Sequence, residues 1–214
     1  AKDYFECRIE ELSREGAVVS ICRHVDDFAV DEPQIVLVQG IAKGEKMDDI
    51  IRHATEVGVS AFIPMMCERS VVKLDAKKAA SRTQRWQSIA KSAAMQSGRL
   101  VVPEVTAPMT VKEAAEAVNG AHAVLVFWEE ADATCLRDII AEARARWFVS
   151  AADFRVAVIV GPEGGLSAHE VDVLSANPNA RVVSLGPTIL RTETAGVVAP
   201  ALVVYELGGL GNAR

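Results

Sequence analysis

Two hydrophobic periods divide this 214-residue chain. Over residues 4–12 and 17–24 the pattern suits half-buried strands, and Ser13-Arg14-Glu15-Gly16 between them predicts a hairpin turn. A lone hairpin is marginal in water, so these strands are expected to belong to an incomplete barrel. Residues 26–33, with three aspartates, a glutamate and Pro33, read as a linker. From Gln34 onward, short continuous apolar runs at 35–38, 61–64, 123–127, 156–160 and 182–184 alternate with helical patterns. The helices are expected to begin near Met47, Ala80, Val111, Thr134, Ala168 and Glu193. Unbroken apolar strands predict a parallel sheet covered on both faces, an open α/β architecture. The helix from Met47 puts Met47, Ile50, Ile51, Ala54 and Val57 on one face. The helix from Ala80 puts Trp86, Ile89, Ala90 and Ala93 together, so Trp86 is expected in the core rather than on a base-stacking platform. The last helix, 193–207, is apolar all round apart from Glu193, Thr194, Tyr205 and Glu206. It is expected to be buried in the core or in a subunit interface, with a kink at Pro200.

Two strand-to-helix junctions carry the candidate chemistry. The first is Gly161-Pro162-Glu163-Gly164-Gly165-Leu166-Ser167-Ala168-His169-Glu170 and the second is Leu185-Gly186-Pro187-Thr188-Ile189-Leu190-Arg191-Thr192-Glu193-Thr194-Ala195. A glycine-rich loop between a strand end and a helix start leaves backbone N–H groups free to hold a ligand. The first is neither a phosphate-binding loop ending in Gly-Lys-Ser/Thr nor a dinucleotide G-x-G-x-x-G. Ser167 and Glu170 have the spacing of a capping box. A bare turn is the competing reading, and Pro162 with Glu163 is more than a turn requires. In the second junction Thr192 is the expected N-cap. The helix dipole disfavours a cation at that end, so Arg191 is either a solvated side chain or a fixed charge facing an anion.

Composition adds bounds. The length allows one full core and a small appendage. Cys7, Cys22, Cys67 and Cys135 lack metal spacing and read as reduced, mostly buried thiols of a cytoplasmic protein. The four histidines show no metal spacing either, and no metal is expected. No signal peptide is visible, and the longest apolar run, 196–205, is too short to span a bilayer. The net charge of −6 is unusual for a nucleic-acid binder. Its distribution softens that objection. Arg69, Lys73, Lys77, Lys78, Arg82, Arg85, Lys91 and Arg99 fall in a stretch whose only acid is Asp75.

The two junctions resemble the signature of the RsmE family of ribosomal RNA methyltransferases, in the SPOUT superfamily. Further likeness lies in Gln39-Gly40-Ile41-Ala42-Lys43-Gly44-Glu45-Lys46-Met47, Glu56-Val57-Gly58-Val59, Glu68-Arg69-Ser70, Arg85-Trp86, Gln96-Ser97-Gly98-Arg99 and Val102-Pro103-Glu104. It covers about residues 1–207. Met95 departs from it, standing where a glutamate is usual. The resemblance implies a trefoil-knotted α/β methyltransferase domain over 34–214, preceded over 1–30 by part of a PUA-like β-barrel whose first strands are missing. It implies S-adenosylmethionine as cofactor, N3 of one uridine of 16S ribosomal RNA as acceptor, the small ribosomal subunit as partner, and a homodimer with no membrane association. Carried onto this chain, it puts Phe127, Trp128 and Glu129, Gly161, Pro162, Glu163, Gly164 and Gly165, and Leu185, Gly186, Ile189, Leu190, Thr194 and Ala195 around the cofactor. Leu185, Ile189 and Leu190 would sandwich the adenine. Lys43, Lys46, Arg69, Lys73, Arg99 and Arg191 would meet RNA. Uracil N3 has a pKa near 10, so ionising it at neutral pH costs roughly 4 kcal/mol. Arg191 is expected to stabilise the anion or a phosphate. Glu163 or Glu193 would accept the proton, or hold the loop and the helix start instead. A different SPOUT methyltransferase, or an RNA-binding factor without activity, is the alternative.

Overall fold

The alternation at the front of the chain gives an antiparallel hairpin, β1 (Phe5–Leu12) with β2 (Ala17–His24). Its turn is closed by the Ser13 hydroxyl, which accepts from the N–H groups of Glu15 and Gly16. The structure is a computed structural model that describes residues 5–25, 32–72, 74–132, 135–147 and 149–211. The chain divides into two units, Ala1–Asp31 and Glu32–Arg214. Every described side chain of β1 and β2 is exposed, Ile9, Leu12, Val18 and Ile21 among them. Most of the expected linker, residues 26–31, lies outside the described residues.

In the second unit the apolar runs become β3 (Gln34–Gly40), β4 (Ala61–Met66), β7 (Ala123–Phe127), β8 (Arg155–Val160) and β9 (Ala180–Val183). Two short strands, β5 (Glu104–Val105) and β6 (Met109–Thr110), share the edge beside β4 and are separated by a segment containing Pro108, which has no N–H for a ladder. The order is β5-β4-β3-β8-β7-β9, and every pairing in this sheet is parallel. Strand β8 is therefore inserted between two strands laid down before it.

Alternate residues of each strand feed opposite faces. Ile35, Leu37, Val156 and Val158 pack with α1 (Lys46–Val57), α2 (Ala76–Gln96), α4 (Leu136–Arg146) and α6 (Thr192–Glu206). Val36, Val38, Ala157 and Ile159 pack with α3 (Val111–Ala117) and α5 (Ala168–Ser175). Trp86 is 1% exposed, as its position on the apolar face of α2 requires. Gly196 lets α6 approach closely, since a Cβ there would stand 2.6 Å from Gln39 Oε1 and 3.0 Å from Ile50 Cγ2. Pro200 is buried within α6, which continues through it to Glu206.

Several boundaries differ from the sequence expectation for definable reasons. Helix α2 starts at Ala76 because the Asp75 carboxylate accepts from the Lys78 N–H at 2.8 Å. The start expected at Thr134 lies outside the described residues. Thr192 is the first helical residue of α6 rather than its cap, because its hydroxyl is turned to the Gly161 carbonyl. Strand β9 ends before Ser184, whose hydroxyl accepts from the Gly186 N–H instead. Cys67 alone of the four cysteines is buried. Cys7 and Cys22 lie on the exposed hairpin, and Cys135 caps α4.

Candidate active site

The carboxyl ends of β7, β8 and β9 open on a cavity of about 690 Å³, where ligands of open α/β sheets bind. Three segments wall it: Phe127, Trp128 and Glu129 at the end of β7, residues 160–163 with 165 and 166 at the end of β8, and residues 184–192 after β9. Of the residues proposed from sequence to hold a cofactor, Gly164 and Thr194 stand outside the lining, and the others form it. Lys46 and Thr192, not expected at the cofactor from the sequence, line it as well.

The first loop is held from behind. Gly40 at the end of β3 packs on Pro162, so closely that a Cβ at Gly40 would stand 2.5 Å from the proline ring. Arg69 donates to the carbonyls of Gly164 at 3.3 Å and Leu166 at 3.2 Å. Gly164 faces this arginine, and a Cβ on it would stand 2.8 Å from Arg69 Cβ and 2.9 Å from Arg69 O. Gly165 adopts φ 70°, and a Cβ there would strike the Glu129 carboxylate. The expected capping box forms: Ser167 Oγ accepts from Glu170 N, and Glu170 Oε2 accepts from Ser167 N at 2.8 Å. Buried Glu170 also accepts from Glu68 N at 2.7 Å, binding the Glu68-Arg69-Ser70 segment to α5.

The two loops are joined by buried polar groups. Gln39, fully buried, donates from Nε2 to Thr192 Oγ1 at 3.0 Å and to the Gly161 carbonyl at 3.3 Å. Thr192 in turn donates to Gly161 O at 2.7 Å. Nearer the cavity, Lys46 Nζ sits 2.9 Å from Glu193 and 3.4 Å from Glu163. Glu163 also accepts from the Lys43 N–H at 3.1 Å.

This arrangement corrects parts of the sequence reading. Lys46 is occupied by two carboxylates, which raise its pKa, Glu193 most of all. Its hydrogen bond and charge hold the Glu193 carboxyl below the ordinary glutamate value. A carboxylate stabilised as an anion is a weaker base, which counts against Glu193 as proton acceptor. Glu163 pins its loop, the alternative reading given for it. Arg99 donates to the carbonyls of Thr55, Gly58 and Val59 at the end of α1. Its guanidinium caps the end of that helix, and burial lowers its pKa. Arg69 is exposed but spends one guanidinium nitrogen on the first loop. Lys73 lies outside the described residues. The Lys43 side chain is exposed, as is Arg191, whose side chain is 83% exposed and reaches Glu193 only at 4.0 Å.

The cavity fits S-adenosylmethionine in kind. Leu185, Ile189, Leu190 and Phe127 supply apolar walls for a base. Gly186, at φ 108°, faces open space on the side where a Cβ would stand, leaving the backbone approachable. Glu129 and Glu163 give carboxylates for a cationic ligand.

A family model described as an RNA methyltransferase domain matches residues 30–204. The ribosomal RNA small subunit methyltransferase E of Bacillus subtilis is 32% identical over 208 residues, covering 96% of this chain and 80% of that one. Its counterpart from Mycobacterium tuberculosis is 34% identical over 197 residues, covering 90% and 71%. Among solved structures, the Neisseria gonorrhoeae ribosomal RNA small subunit methyltransferase E bound to S-adenosyl methionine is 30% identical with a TM-score of 0.75, covering 94% of this chain and 78% of that one. A Legionella pneumophila methyltransferase in complex with the same cofactor is 29% identical with a TM-score of 0.78, covering 99% and 81%. With a parallel α/β sheet, a cavity walled by both glycine loops, and this likeness along nearly its whole length, the chain belongs to the ribosomal RNA small subunit methyltransferase E family.

Proposed function

We propose that this protein transfers a methyl group from S-adenosylmethionine to N3 of one uridine in 16S ribosomal RNA, within the small ribosomal subunit. The observation that carries the reading is the cavity between two glycine-bearing loops with an exposed arginine at its rim, in a chain of this family. When bound, the cofactor supplies an electrophilic methyl on a sulfonium. The chain's own residues do the rest. Leu185, Ile189 and Leu190 hold the adenine, and the backbone of both loops reads its edge and the ribose. Glu129 and Glu163 present negative charge to the cationic ligand. Arg191 offers a planar guanidinium to the uracil as negative charge develops on its ring, offsetting part of the roughly 4 kcal/mol that ionisation costs. With Glu193 held as an anion by Lys46, the Arg191 cation is the stronger candidate for lowering that cost than any carboxylate is for taking the proton.

Further parts of the reading follow the family. Insertion of β8 between β3 and β7, and the packing of α6 against α1, support a trefoil knot over residues 34–214. The exposed apolar side chains of β1 and β2 support a place for this hairpin in a PUA-like barrel over 1–30. Leu202 and Tyr205, large side chains exposed on a helix that buries seven of its fifteen residues, support a homodimer through α6. Cytoplasmic location belongs to the same reading, and among the described residues no helix is long and apolar enough to cross a membrane. The test is cofactor binding by calorimetry, followed by incubation with unmodified small subunits and nucleoside mass spectrometry. Appearance of N3-methyluridine supports the proposal. Cofactor binding with methyl only on a ribose, or no methyl at all, overturns it.

A further inference from the structure

Three of the six cations expected to meet RNA are taken up within the protein: Lys46 by two carboxylates, Arg69 by two carbonyls and Arg99 by three. An acidic chain that binds a polyanion must then carry positive charge elsewhere. Helix α2 does. Its 21 residues hold Lys77, Lys78, Arg82, Arg85 and Lys91 and no acid. Lys78, Arg82 and Arg85 stand at i, i+4 and i+7, so they form one ridge beside the buried stripe of Trp86, Ala90 and Ala93. At 1.5 Å per residue the ridge is about 10 Å long.

This ridge is tied to the cavity rim at two points. Arg85 donates from Nε and Nη2 to Asp48 Oδ2 at 2.9 and 2.6 Å. Asp48 lies in the first turn of α1, two residues beyond Lys46 of the cavity lining. The guanidinium pairs with a carboxylate that is itself buried, yet the Arg85 side chain stays more than half exposed. At the other end, the segment entering α2 begins at Arg69, which holds the first loop. Among the described residues the Lys78 ammonium pairs with Asp75 at 3.3 Å, in a pair exposed enough to contribute little.

We infer that the Lys78–Arg82–Arg85 ridge of α2 is a phosphate track, which grips the RNA backbone next to the nucleotide presented to the cavity. This rests on the RNA methyltransferase reading and adds to it a surface for the acceptor. The ridge positions substrate and touches no reacting atom, so it acts on RNA affinity and leaves cofactor affinity alone. Arg85 is unsuited to a first test, because its removal would strand the buried Asp48 carboxylate.

The experiment uses the full chain and the double variant Lys78→Gln/Arg82→Gln, with Lys78→Arg/Arg82→Lys as the charge-conserving control. Binding to protein-free 16S ribosomal RNA is measured across a salt series, beside binding to the assembled subunit, cofactor affinity by calorimetry, and single-turnover methyl transfer at saturating RNA. The glutamine variant is expected to bind RNA roughly tenfold more weakly at low salt. Its log–log salt slope should be shallower by about 1 for each cation removed. Cofactor affinity and the saturated rate should stay at the parent level, and the control should keep the parent slope. An unchanged slope in the glutamine variant, with the parent binding and methylating RNA, overturns the track alone. Loss of affinity for the assembled subunit but not for protein-free RNA overturns it in favour of a ribosomal protein contact. A parent chain that binds the cofactor but neither binds nor methylates RNA overturns the function and the track together.

Discussion

Pro162 and Ile189 lie in corresponding loops, each after a strand of one parallel sheet, yet Pro162 is buried and Ile189 is 83% exposed. The loop of Pro162 is braced by Gly40, Arg69, Lys43 and the capping box of α5. The loop of Ile189 has Gly186, Pro187 and Thr188 exposed as well; a serine turn supports it locally, and Leu185 and Leu190 rest on the core at its two ends. A wall fixed before the ligand arrives pays no ordering entropy on binding, whereas an exposed apolar wall gains by closing over a ligand. The braced loop can serve as a platform and the exposed one as a cover, and Arg191 stands between the exposed loop and the first turn of α6. The Gln39–Thr192–Gly161 clasp is where the two meet.

The sharpest way to break this comparison is at the cover. Arg191→Ala is expected to lower methyl transfer by on the order of 10² to 10³ fold, the cost of losing one group that stabilises developing charge. Cofactor affinity should barely change, and Arg191→Lys should recover only part, because a point charge lacks the planar fork. Single-turnover rates beside calorimetry decide it, and an equal fall in affinity and rate would remove the assignment.

At the platform, Gly164→Val should cost cofactor binding about 1–3 kcal/mol, the usual range for overpacking, which is roughly fivefold to 150-fold in Kd. The cause is backbone displacement from Arg69, not contact with ligand, since Gly164 is outside the cavity lining. Thermal unfolding should remain cooperative. Unchanged affinity would mean that the platform tolerates movement.

Between these regions, Thr192→Val removes the hydroxyl that accepts from Gln39 and donates to Gly161; Gln39 Nε2 keeps the Gly40 and Gly161 carbonyls as acceptors, so the cost is that of two net hydrogen bonds, about 1–3 kcal/mol. The loss should be shared between stability and cofactor affinity, and Thr192→Ser should restore both. Chemical denaturation with and without cofactor separates the two contributions.

The smallest effect concerns pH. Glu193 titrates lower in the folded protein than its ordinary value of 4.5, so its contribution is present above that value and lost as pH falls through the depressed one. Lys46 titrates higher than 10.5, so its contribution is present below that value and lost as pH rises past it. The ion pair thus spans the neutral range, and cofactor affinity should be flat from about pH 6 to 9 as far as this pair governs it. Lys46→Met should leave the neutral plateau lower, but still flat.

The sheet was legible because unbroken apolar runs have few other uses, and the loops because glycine, proline and the Ser167–Glu170 spacing are local signals. The edge strands β5 and β6 escaped notice, since two-residue strands show no period. The clasp was hidden for another reason. Gln39 and Thr192 are 153 positions apart, and nothing in either neighbourhood marks a partner. The carbonyl contacts of Arg99 were not legible because a cation that caps carbonyls and one that meets phosphate look alike in sequence. Only the position of Gly58 and Val59 beside it decides between them.

Cys67 offers a chemical timer for the platform. It follows β4, is buried, and has its thiol pushed up to about 12, chiefly by burial and then by the neighbouring Glu170 anion. At pH 8 only about one molecule in 10⁴ carries it as thiolate, so an alkylating reagent meets a nearly inert sulfur. Cys7, Cys22 and Cys135 are exposed and serve as internal standards in the same sample. Labelling of Cys67 must wait for residues 67–70 to lift away, and those residues include Arg69, the brace of the first loop. The labelling rate at this one sulfur therefore reports how often the platform lets go, and a ligand that locks the platform will slow the reaction without touching the cysteine.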